Sequence, residues 1–195
     1  MSISEIEDRR SIRKFKALPV ETEKLEAILQ AALKAPSGKN KQPWKYVVLT
    51  GERKNEMVGV MLQGIEQIEK SLFGKKIVGL ADAKNTAKIM KEAPVVIMVL
   101  DRFSKNLFKM MLPTDKIAAT INALSIGASI QNLLLEAQAL GLGTLWIGNT
   151  FFAYDSLMKW LNTKHSLVSA IAVGYPNQTP LPRPRKEFDE MITFY

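Results

Sequence analysis

Two short stretches near the N-terminus concentrate the residue types that hold a charged ligand. RRSIRKF, from Arg9 to Phe15, places three guanidinium groups (Arg9, Arg10, Arg13) and the Ser11 hydroxyl within five residues. A planar guanidinium fork matches phosphate oxygens in geometry as well as charge, so the spacing suits a phosphate. A plainer reading stands beside it: a solvated basic helix end, with Arg9 and Arg10 complementing the carboxyl end of a short helix. APSGKNKQPWKYVV, from Ala35 to Val48, runs through Pro36, Ser37, Gly38 and Asn40 before turning β-branched and aromatic. That pattern stops a helix, makes a turn and starts a strand.

Other chemistries are excluded or starved of residues. The chain has no cysteine, which removes disulfides, thiolate metal sites and a cysteine nucleophile. Its single histidine, His165, removes a multi-histidine metal site, and as a triad base it would have to act from the polar turn NTKH. The formal net charge of +8 admits nucleic acid, an anionic membrane or an anionic small ligand. The lysines are dispersed and no basic helix carries interleaved aromatics, which favours a phosphate-bearing ligand over a nucleic-acid groove. The opening MSISEIEDRR is acidic and polar, unlike a secretory signal, so the expected location is the cytoplasm.

These residues need a scaffold, and 195 residues with 47% hydrophobic and 24% charged content suffice for one soluble domain over the whole of 1–195. Ser4 and Glu7 form a capping pattern for a short helix ending near Arg9. Glu21 to Leu33 sets Leu25, Ile28, Leu29, Ala32 and Leu33 on one helical stripe. Trp44 to Thr50 is a strand, with a turn from Gly51 and a helix over 52–71 that turns Met57, Val60, Met61, Ile65 and Ile68 inward. Residues 73–86 are Gly- and Lys-rich and read as a loop, followed by a short helix at 87–91 and a buried strand at 94–100. The irregular segment 102–113 carries Phe103, Phe108, Met110 and Met111, a lid or ordinary satellite packing. A long helix spans 115–140 with Gly141 as its C-cap. Short strands at Gly143 and at 167–173 flank a helix ending at Leu161, and a Pro-rich tail ends in DEMITFY. Ile117 to Leu135 carries no formal charge, yet Thr120, Asn122, Ser125, Ser129, Gln131 and Asn132 interrupt it. A central helix packed closely on both sides, one face against a second subunit, fits this better than a membrane span.

Taken in order, four segments resemble the FMN-dependent nitroreductase family. RRSIRKF is similar to its Arg-Arg-Ser-x-Arg motif, which an aromatic follows two residues on. APSGKNKQPWKYVV is similar to its Pro-Ser-x-x-Asn-x-Gln-Pro-Trp motif. ALGLGTLWIGN, from Ala139 to Asn149, resembles the segment that passes the flavin ring, and GYPNQTPLPRPRKEF, from Gly174 to Phe188, the closing segment whose cations reach the phosphate. The resemblance implies an α+β fold, a small mostly antiparallel sheet flanked by helices, in an intertwined homodimer with each FMN at the interface.

It also implies roles. Arg9, Arg183 and Arg185 would clamp the FMN phosphate, Ser11 would donate to the phosphate or ribityl chain, and Arg10 would hold that loop or contact the ribityl hydroxyls. Arg13 would sit beside the flavin N1–O2 edge and favour the reduced anion. Pro36, Ser37, Gly38 and Asn40 would reach the flavin from the other subunit. Gly148, beside Ile147, would present its N–H to flavin N5, with Trp146 and Leu145 walling the ring; Trp44 reads as core. Asn85 and Lys88 are a further polar pair with the spacing to reach the pyrimidine edge. The implied activity is a ping-pong transfer of electrons from NADH or NADPH to a nitroaromatic, a quinone or a similar acceptor. The alternative is an FMN-binding protein without nicotinamide activity, for storage or for electron exchange with a protein partner.

Overall fold

The computed structural model describes residues 3–71, 76–104 and 112–195. Phe108, Met110 and Met111, singled out above, and residues 73–75 of the expected loop lie outside them. Helices α1 (Ser4–Asp8), α2 (Thr22–Leu33), α3 (Gly51–Glu69), α4 (Leu80–Glu92), α5 (Pro113–Ala139), α6 (Tyr154–Leu161) and α7 (Phe188–Met191) alternate with strands β1 (Trp44–Thr50), β2 (Val95–Asp101), β3 (Gly143–Ile147) and β4 (Ser166–Gly174). The strands form one sheet in the order β1-β2-β4-β3, with every neighbouring pair antiparallel. This is the α+β arrangement expected.

β2 is buried along its whole length, since both faces of the sheet are covered. Met98, Leu100, Ala170 and Ala172 face α3, α4 and α6 on one side. Ile97, Val99, Ile171 and Val173 face α2 and α5 on the other. The polar residues that interrupt α5 hold its neighbours. The Ser129 hydroxyl donates to Ala32 O (2.7 Å) and accepts from the Tyr46 hydroxyl (2.6 Å), while Asn132 Nδ2 donates to Ala31 O (3.2 Å). Together these satisfy the last carbonyls of α2, which a helix end leaves open, and fix where the chain leaves toward Pro36. Burial pushes the Tyr46 hydroxyl up to about 12, so it stays a donor.

Several expectations change. α4 begins at Leu80, not near Ala87, because Gly79 takes φ 97 and turns the chain into a helix that buries Leu80, Ala83, Ala87 and Met90. Its Lys- and Asn-rich outer face hid that period. Gly51 opens α3 rather than a turn, and Ser4 caps nothing, bonding instead to Glu5. α5 is buried along one face only. Ile117, Ile121 and Leu124 are 62%, 44% and 71% exposed, an apolar surface that the described residues leave uncovered. By length and composition α5 could also cross a membrane, but its buried face lies on α2 and the sheet.

Candidate functional site

The first arginine-rich segment is laid across one end of the sheet. Ile12 N–H donates to Thr144 O, Lys16 N–H to Tyr175 O and Asn177 N–H to Lys14 O, each at 2.9 Å. The side chains of Ile12 and Phe15 are buried beneath it. Two glycines make the seat. Gly143 and Gly174 face each other across β3 and β4. A Cβ on Gly143 would lie 2.7 Å from Ile12 Cγ1, and one on Gly174 would lie 2.5 Å from Pro94 Cδ and 3.0 Å from Phe15 Cδ1. Only a residue without a side chain lets the segment lie this close.

Anchored there, Arg9, Arg10, Ser11 and Arg13 meet Arg183 and Arg185 from the far end of the chain around a cleft of about 510 Å³. Burial holds the Arg9 guanidinium below its usual value, and the positive charges of Arg185 and Arg10 lower it further. Among the described residues no carboxylate forms an ion pair with any of these arginines. Glu7 lines the same cleft, but it meets Arg10 through its backbone carbonyl. Cations gathered without a counter-charge are a site for an anion. Arg10 donates to Glu7 O and Arg9 O at the end of α1, so the plainer helix-end reading holds for that one side chain. Arg185 is braced by Arg183 O and Pro184 O, both at 3.3 Å.

Arg13 also borders a second cleft of about 310 Å³, shared with Asp82, Asn85 and Thr86 of α4 and with Leu145 to Asn149. Asn149 Nδ2 donates to Thr86 Oγ1 (3.0 Å) and ties this loop to α4. Gly148 has an ordinary φ of -96, and a Cβ there would meet nothing within 4 Å. Neither strain nor packing among the described residues calls for glycine there, so the backbone at Gly148 is open to the cleft. Trp146 is 46% exposed at the same edge. Asn85 lines this cleft and Lys88 does not.

Pro36, Ser37, Gly38 and Asn40 lie elsewhere, lining neither cleft. Lys39, Asn40 and Gln42 all take left-handed φ (54, 52 and 48), an uncommon cluster for residues with side chains. The turn is held by Gln42 N–H on Ser37 Oγ (2.9 Å) and Gly38 N–H on Ser125 Oγ (3.4 Å). A Cβ on Gly38 would meet Ile121 Cγ2 at 2.7 Å, so the turn adjoins the uncovered face of α5. Trp44 is core, 4% exposed.

Sequence reasoning missed Asp82 and Thr86. Residues 82, 85, 86 and 89 share one helix face, a period visible once α4 is started at Leu80.

Residues 6–175 match the model of the Nitroreductase family. A protein of Archaeoglobus fulgidus assigned as an NADH dehydrogenase/NAD(P)H nitroreductase is 29% identical over 174 residues, 86% of this chain and 81% of that protein. The NADPH-flavin oxidoreductase of Vibrio harveyi is 28% identical, over 94% of this chain and 69% of its own length. A crystal structure from Desulfovibrio desulfuricans, described as a nitroreductase in complex with FMN, superposes with TM-score 0.71 at 26% identity, covering 98% of this chain and 95% of that one.

Proposed function

This chain belongs to the nitroreductase family, and on that premise we propose that it is a cytoplasmic, FMN-dependent oxidoreductase. It would take electrons from NADH or NADPH and hand them to a small conjugated acceptor, such as a nitroaromatic or a quinone. One observation carries the reading. Arg9, Arg183 and Arg185 converge with no carboxylate ion pair among the described residues, and Arg13 lines both their cleft and the one beside Gly148. A molecule with a phosphate at one end and a flat ring at the other matches that pair.

When bound, FMN supplies the hydride and electron chemistry; the protein binds, orients and biases it. Arg9, Arg183 and Arg185 hold the phosphate, with the Ser11 hydroxyl as a further donor. Arg10 holds the loop that presents them. Arg13 offers fixed positive charge at the junction of the clefts, which favours whichever form of the ring carries more negative charge. Gly148 lets the ring approach the backbone, and Trp146 with Ile147 borders that edge. Pro36, Ser37, Gly38 and Asn40 serve the site of a second copy, since their turn adjoins the apolar α5 face that a homodimer would cover. Donor and acceptor use one cleft in turn, so initial-rate plots should give parallel lines.

The test is anaerobic. The purified protein should take up FMN, turn yellow, bleach with NADH or NADPH and regain colour when acceptor is added. A protein that takes up no FMN rejects the assignment. Bleaching by dithionite alone would leave a flavin carrier without nicotinamide activity.

A further inference from the structure

Ser169 on β4 is 3% exposed and lines neither cleft, yet it sits in a short hydrogen-bonded relay that ends at the Gly148 peptide. Trp146 Nε1 lies 2.7 Å from Ser169 Oγ, and Ser169 Oγ lies 2.8 Å from Ile147 O. The indole can only donate, so the serine oxygen accepts there. The hydroxyl proton is then directed at the Ile147 carbonyl; Ala170 O, at 3.4 Å, is the weaker alternative.

The Ile147 carbonyl and the Gly148 N–H belong to one peptide group. No peptide bond in the described residues is cis, so the two dipoles point in opposite directions. Anchoring the carbonyl toward β4 therefore aims the N–H away from β4. The strand's alternation gives the same result independently. Thr144 turns its carbonyl outward to receive Ile12 N–H, and in an antiparallel edge strand the residues two and four positions on face the same way. That places the Gly148 N–H on the side where Arg13 lies, in the cleft both residues line. It donates to no backbone carbonyl among the described residues.

We propose that Ser169 is a positioning residue for the flavin: through Ile147 O it fixes the plane of the 147–148 peptide and strengthens the Gly148 N–H as a donor to the bound ring. Withdrawing density from a carbonyl polarises the attached N–H, and the indole strengthens the hydroxyl in turn. The same relay pins the half-exposed Trp146 indole. The inference rests on the FMN assignment above. Its sign follows from the ring: oxidised N5 accepts a hydrogen bond, whereas reduced N5 carries a proton and cannot. The relay thus favours oxidised FMN, and losing it should raise the flavin's midpoint potential.

The experiment uses FMN-loaded protein and spectroelectrochemical titration, with FMN dissociation constants measured for both redox states. Ser169→Ala should raise the ratio of oxidised to reduced dissociation constants about fivefold, or about 20 mV for a two-electron couple. Ser169→Thr, which keeps the hydroxyl, should hold the ratio within about twofold of wild type. In flavin-free protein, the Gly148 amide proton should move upfield in Ser169→Ala, a change that loss of packing alone would not direct to this one amide. Should that variant not fold, Trp146→Phe replaces it, with a rise of about twofold in the same ratio. An unchanged ratio with an unmoved Gly148 amide overturns the positioning role while leaving the FMN assignment intact. Wild-type protein that takes up no FMN overturns both.

Discussion

Arg9 is the side chain whose surroundings bear most on the proposed clamp. Its charged form is disfavoured by burial and again by Arg185 and Arg10, so the cleft holds mutual repulsion that a bound phosphate would relieve. Removing one member should therefore weaken binding without weakening the fold. Arg185→Ala is expected to loosen FMN by about tenfold to a hundredfold, the range for a lost charge-assisted hydrogen bond. The melting temperature of the flavin-free protein should stay level or rise, and equilibrium dialysis with calorimetry on the same sample measures both. A variant that retains FMN as tightly as wild type would remove Arg185 from the clamp. Lys54 presents the contrasting case of a buried cation with partners. It is 7% exposed, its usual value is lowered by burial, and its ammonium donates to Lys91 O and Ala93 O at the end of α4. Lys54 thus closes a helix end with its charge satisfied by carbonyls, whereas Arg9 faces the positive charges of Arg185 and Arg10.

At the level of elements, the seat under Ile12 and Phe15 is the least forgiving part of the fold. Gly174→Ala would drive a methyl into the rigid Pro94 ring, and overpacking of this kind costs about 1–3 kcal/mol. Because the displaced segment carries Arg13, FMN affinity should fall along with stability, and denaturant titration paired with FMN titration reads both. A second clasp joins α2, α5 and the end of β4. The Tyr175 hydroxyl lies 2.7 Å from Lys24 Nζ and 2.7 Å from Glu21 Oε2, and Lys24 Nζ reaches Leu140 O at 3.3 Å. That hydroxyl is the main cause holding Glu21 below its usual 4.5 and Lys24 above its usual 10.5. A lowered carboxylate stabilises fully above 4.5 and fades as pH falls through its folded value; a raised ammonium stabilises fully below 10.5 and fades as pH climbs past it. Tyr175→Phe should thus lower the melting temperature most between those limits; the gap should narrow without closing at low pH, where only the Glu21 part is lost, and at high pH, where only the Lys24 part is lost, as thermal melts across pH would show. Much of this level was legible in the chain. β1 runs from Trp44 to Thr50 as its β-branched run indicates, and α2, α6 and the C-cap at Gly141 follow their periods and turn residues. The start of α4 was not, since Lys and Asn on its outer face mask a period that its buried face keeps. Nor was the glycine pair, because cross-strand partners are set by register, which no local pattern reveals. The arginines were legible as a type and a spacing, and the family resemblance alone grouped residue 9 with 183 and 185; the structure lines one cleft with all three.

For the whole molecule, the uncovered stretch of α5 decides the most. Ile117, Ile121 and Leu124 lie exposed beside the Pro36–Asn40 turn, and the tail adds Phe188, Met191, Ile192 and Phe194. A second copy is the occupant consistent with the proposed site, because it would bring its own turn to the first copy's flavin. Leu124→Glu should then convert a particle of twice the chain mass into one of single mass in light scattering, and FMN should be lost with it. A monomeric wild type, or a monomeric variant that holds FMN as before, would separate the flavin site from assembly. The meeting of Arg9 with Arg183 and Arg185 in one cleft has a temporal consequence as well. A ribosome delivers Arg9 long before the two later arginines, so the proposed clamp could close on a nucleotide only once both segments had been made and the sheet between them had folded.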